Sequence, residues 1–139
     1  MSSTPARTRR PVFLLIPLGA LAGVALAMVN FQLTTASLVE PGDLSSYVLW
    51  TIVGGAALGG SFACPASAAA YVGASAGKSP RFCAGAAGGA LAACWLLYAA
   101  VSASGGTPVT WLLPTAAALT TAGGMWVIWS AVRRSVPRA

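Results

Sequence analysis

The chain has 139 residues, of which 57% are hydrophobic and only 7% charged, against roughly 25% charged in soluble domains. Eight basic residues, two acidic ones and no histidine give a formal net charge of +6. This composition excludes water as the main solvent of the fold and leaves few groups for acid-base or metal chemistry.

The charges are segregated along the chain. Arg7, Arg9, Arg10, Glu40, Asp43, Lys78, Arg81, Arg133, Arg134 and Arg138 leave uncharged stretches at 11–39, 44–77 and 82–132. A helix needs about 20 apolar residues to cross the hydrocarbon core, so the first two stretches hold one span each and the third has room for two. The third is divided at Ser102, Ser104, Gly105, Gly106, Thr107 and Pro108, where turn-forming residues cluster. The expected fold is an all-α integral membrane protein, a four-helix transmembrane bundle spanning 11–132.

Residues 1–10 read as a basic cytoplasmic segment that brings three arginines to the edge of the first apolar run. The first helix is expected over 11–29, with Pro11 in its tolerated first turn and Pro17 deeper, where it bends the helix. Glu40-Pro41-Gly42-Asp43 marks a turn in the longest loop. A second helix follows over 47–74, with Tyr47 and Trp50 at its interfacial end and Pro65 as an expected kink. Lys78-Ser79-Pro80-Arg81 makes a short basic turn into a third helix over 82–101. The fourth covers 111–132, and 133–139 forms a second basic cytoplasmic tail.

Basic flanks are retained on the cytoplasmic side. With four spans, all eight basic residues fall on one side and Glu40 and Asp43 on the other, which three or five spans would not give. Both termini are therefore expected in the cytoplasm. Arginine outnumbers lysine seven to one in a chain rich in alanine and glycine, the mark of a high-G+C bacterial genome, so the expected location is the bacterial inner membrane. Arg9-Arg10, the apolar run and Ala25-Leu26-Ala27 also match a cleavable signal peptide. Such matches are common in alanine-rich sequence, and the remainder is itself apolar, so the run is read as a retained span.

Helices in lipid associate through close backbone approach, which small residues four apart permit. Gly19/Gly23, Gly55/Gly59, Gly73/Gly77 and Gly85/Gly89 all have this spacing. They are the expected helix-packing residues, Gly54, Gly60, Gly88, Gly123 and Gly124 widen the small faces, and the smooth second and third helices can pack at a short interaxial distance. Residues 55–64 also match 85–94 at six of ten positions, ending in Cys64 and Cys94. Those two helices run in opposite directions, and an inverted repeat of this kind is a transporter device.

No ionisable residue of the pathway-forming kind falls within the spans, which argues against a proton-coupled pump. The hydroxyls of Thr51, Ser61, Ser67, Thr115, Thr120 and Thr121 are expected to bond back to their own helices. Cys64, Cys83 and Cys94 form no CxxC or Cys/His pattern, so they read as small packing residues, with no metal and no cofactor expected. No nucleophile has a visible base, and no catalytic residue is assigned. Glu40 and Asp43 form a possible outer-loop site. The charge of +6 is divided among membrane flanks, so nucleic acid is not an expected partner.

The expected function is that of a non-enzymatic accessory or structural subunit. Its partners would be the lipid bilayer and either its own copies, as a homo-oligomer, or a larger membrane protein. The alternative is a small channel, holin-like pore or transporter formed by oligomerisation. A membrane-embedded enzyme using Glu40 and Asp43 at the outer face comes third.

Overall fold

The computed structural model describes residues 12–34, 39–104 and 112–135. Four long helices fill these segments: α1 (Leu15–Thr34), α2 (Leu44–Ser75), α3 (Pro80–Ser104) and α4 (Leu112–Ser135). Each is long and apolar enough to cross a membrane. The expected terminal segments, Pro11 and most of the turn between the last two helices lie outside the described residues.

Helix boundaries differ from the expected ones in ways the backbone explains. Val12 and Phe13 are helical, Leu14 is a turn residue, and α1 proper starts at Leu15. Pro17 has no N–H to offer the Phe13 carbonyl, so the interruption falls one turn before the proline. α1 then continues through Asn30 and Gln32, beyond the expected end at 29. Pro65 lies inside α2, which runs through it without interruption, and the proline is on the exposed face. The Ser61 carbonyl loses its usual N–H partner there, away from the packed side of the helix.

The turns follow local chemistry. The Asp43 N–H donates to the Glu40 carbonyl at 3.0 Å, closing the Glu40-Pro41-Gly42-Asp43 turn. Asp43 then stands at the N-cap of α2 without a side-chain capping bond. At the other end of α2, Gly77 takes φ 68, a left-handed conformation that favours glycine. The Gly77 N–H donates to Ala74 and the Lys78 N–H to Gly73, at 3.1 and 3.0 Å. This pair of bonds is a Schellman stop. Ser79 caps the next helix by accepting from the Phe82 N–H at 3.3 Å, and Pro80 occupies the first helical position, where its missing N–H costs nothing.

The four helices pack antiparallel in sequence order, and α1 also touches α4. The core joins Val12 and Leu15 to Ala63, Ala66 and Ala70 of α2, Cys83, Ala84, Ala87 and Leu91 of α3, and Ile128 and Val132 of α4. It therefore lies toward the end where α1 and α3 begin and α2 and α4 finish. The size distribution is the reverse of that in a water-soluble bundle. Ala66, Ala70 and Ala87 are fully buried, whereas Trp50 and Leu96 are each 72% exposed and Leu21 is 67% exposed. Water would penalise such a surface, but lipid does not, because its tails are as apolar as leucine.

Candidate helix-packing site

The closest contact is between α1 and α2. A Cβ on Gly19 would stand 2.6 Å from the Ala63 Cβ and 2.7 Å from the Gly59 carbonyl oxygen. One on Gly55 would stand 2.7 Å from the Gly23 carbonyl oxygen and 2.8 Å from the Ala27 Cβ. Added carbons on Gly23 and Gly59 would run into the carbonyls of Gly55 and Gly19. The obstacles are mostly backbone, which cannot swing aside. Gly19/Gly23 and Gly55/Gly59 thus form one seam, with two expected small-residue pairs meeting each other.

The other two pairs behave differently. Gly73 faces α3, where a Cβ would lie 3.1 Å from the Cys83 sulfur, so its smallness admits that thiol and the Phe82 ring. Gly77, expected as a packing residue, sits instead in the turn, because its left-handed backbone ends α2 before it can serve a helix face. Gly85 and Gly89 are exposed and have nothing within 4 Å of an added Cβ. The expected second-to-third-helix seam is therefore not built from these two, and the smoothest contact is between the first and second helices.

α3 meets α4 through a different set of residues. Its inward face carries Ala84, Gly88, Leu91 and Trp95, spaced three or four apart, while Gly85, Gly89, Ala92, Ala93 and Leu96 lie on the outward face. A Cβ on Gly88 would come 2.6 Å from the Met125 side chain, and one on Gly124 would come 2.6 Å from Leu91 Cδ1. The Trp95 Nε1–H donates to Thr120 Oγ1 at 2.9 Å, while the same hydroxyl donates to the Ala116 carbonyl at 2.7 Å. Gly88 and Gly124, expected only to widen the small faces, are here the close contacts, and the Trp95 bond had no signal in the sequence. Adjacent glycines such as Gly88 and Gly89 make both faces of α3 equally small, so periodicity alone does not choose between them.

An aromatic cluster ties α2 to α3. The Phe62 ring meets Trp95 edge-on at 5.3 Å and Tyr98 at 6.2 Å, and Trp95 meets Tyr98 at 5.9 Å. These are the T-shaped arrangements that the ring quadrupoles favour. Ser67 is fully buried nearby in α2, with no hydrogen-bond partner for its hydroxyl among the described residues. Thr51, Ser61 and Thr120 do bond back to carbonyls of their own helices.

The remaining candidate residues do not converge. Glu40 and Asp43 are both exposed in the turn before α2, and the described residues contain no group of three His, Cys, Asp or Glu side chains placed to hold a metal. Cys64 is exposed, Cys83 buried and Cys94 half-buried, all three as free thiols. The matched halves 55–64 and 85–94 have unlike surroundings. Gly55 and Gly59 are pressed against α1, whereas Gly85 and Gly89 face open space. No protein-family model matches this chain, and no curated protein or solved structure matches it either.

Proposed function

We propose that the chain is a multi-pass protein of the bacterial inner membrane, with both termini cytoplasmic, and that it acts as a non-enzymatic accessory subunit through helix docking. Its partner is a second copy of itself or a larger membrane protein. The observation that carries this reading is the outward face of α3, where Gly85, Gly89, Ala92 and Ala93 are all exposed. The seam of Gly19, Gly23, Gly55 and Gly59 is already filled within the chain. A second face of the same small-residue chemistry remains available for a helix from outside, and close approach is what drives association in lipid.

The segregation of charge supports the orientation. Lys78, Arg81, Arg133 and Arg134 stand at one end of the antiparallel bundle, Glu40 and Asp43 at the other, in the sense that the positive-inside rule assigns.

Gly89→Leu separates docking from folding. The variant should insert and keep the unfolding midpoint of the wild type in mild detergent, because its side chain projects into open space. It should also lose the oligomer or the co-purifying membrane partner on native gels. Retention of full association by the folded variant would refute the assignment of this face. Wild-type protein that leaks ions from reconstituted vesicles would point instead to a pore.

A further inference from the structure

The inter-helix contacts fix which residues share a level along the bundle axis. Gly88 faces Met125, Leu91 faces Gly124 and Trp95 bonds Thr120. Continued by two helical turns, this register brings Arg81 level with Arg133 and Arg134. Lys78 lies in the turn that immediately precedes α3. All four cations are exposed, so they form a rim at one end of the bundle.

No acidic side chain is available to neutralise that rim. The whole chain has only two, and Glu40 and Asp43 lie at the start of α2, the far end of the bundle. Two of the cations are also held over aromatic faces. Lys78 Nζ lies 5.9 Å from the centre of the Phe82 ring, and the Arg133 guanidinium carbon lies 5.0 Å from the Trp129 ring. Phe82 is itself 54% exposed, so an apolar surface lies directly beneath the charge. An apolar flank under a cationic, acid-free edge complements an amphiphile with an acyl chain and an anionic head.

We propose that the rim of Lys78, Arg81, Arg133 and Arg134 binds anionic phospholipids of the adjoining leaflet, with the phosphates against the cations and the acyl chains along Phe82 and Trp129. The side chains reach toward the headgroup level while their stems stay in the apolar zone. The attraction is electrostatic and acts within a Debye length of the surface. It does not depend on the α3 docking face, because Gly85 and Gly89 carry no charge and a monomer presents the same rim.

The test uses the full-length protein in phosphatidylcholine vesicles with a trace of spin-labelled phosphatidylglycerol or spin-labelled phosphatidylcholine. The motionally restricted fraction of each label is read by electron paramagnetic resonance. Wild-type protein should restrict the anionic label roughly two- to fivefold more strongly at low salt, falling toward parity near 1 M salt. The paired variants Lys78→Gln/Arg81→Gln and Arg133→Gln/Arg134→Gln should each lower the preference. Arg81→Lys with Arg133→Lys and Arg134→Lys should keep it, as should Glu40→Gln with Asp43→Asn. Equal restriction of the two labels by wild-type protein would overturn the proposal, and so would a preference that survives both neutralising pairs. The salt titration needs no variant, so misfolding of a variant leaves the proposal falsifiable.

Discussion

Gly59 shows how finely single residues are fitted in this bundle. An added Cβ would collide with the Gly19 carbonyl and lie 3.0 Å from the Gly23 Cα. Because these neighbours are backbone, Gly59→Ala must push α1 away from α2. Overpacking of this kind costs about 1 to 3 kcal/mol. Gly60, one position on, has nothing within 4 Å, and Gly60→Ala should be neutral or stabilise by up to about 1 kcal/mol through helix propensity. Unfolding in mixed detergent micelles should therefore separate two adjacent glycines, and an equal response from both would contradict the seam. At this scale the sequence was partly legible. The four-residue spacing picked out Gly19, Gly23, Gly55 and Gly59, but it also named Gly77, whose role depends on its φ angle, and it ranked Gly89 above Gly88, which differs from it only in the direction it faces.

Among the elements, α3 and α4 are joined by a polar tie set among apolar contacts. The Trp95 N–H has Thr120 as its acceptor, and a buried indole N–H without one would bear a desolvation cost. Interhelical hydrogen bonds in membrane proteins contribute about 0.6 kcal/mol on average and up to about 1.7. A double-mutant cycle of Trp95→Phe and Thr120→Val should give a coupling in that range, measured as the change in unfolding free energy. Strict additivity of the two substitutions would show that the bond contributes nothing.

Helix number and the Glu40-Pro41-Gly42-Asp43 turn were legible because charge and turn formers punctuate the apolar runs. Helix ends were less so. The start of α1 depends on which carbonyl Pro17 leaves unpaired, and α2 begins at its Asp43 cap rather than at its first aromatic residue. The 32 residues of α2 extend about 48 Å, well beyond a hydrocarbon core of about 30 Å. A tilt, or an overhang of the end bearing Tyr47 and Trp50, accommodates the difference.

At the scale of the molecule, the antiparallel order converts a segregated sequence into a polarised bundle. The packed core and the four described cations share one end, and the two acids occupy the other. Parity links these facts, since the antiparallel pair α3 and α4 returns the chain to the end of the bundle that bears the basic turn at Lys78. Charge spacing made this legible before any contact was known, whereas the pairing of faces was not, because glycine and alanine carry no directional signal. The most direct measurement is labelling of single cysteines by an impermeant thiol reagent in intact cells, in a background with Cys64, Cys83 and Cys94 replaced by alanine. Gly42→Cys, in the acidic turn, should label, whereas Ala76→Cys, in the basic turn, should label only after the cells are opened. Labelling of Ala76→Cys in sealed cells, or protection of Gly42→Cys, would contradict the four-span arrangement with the basic end inside.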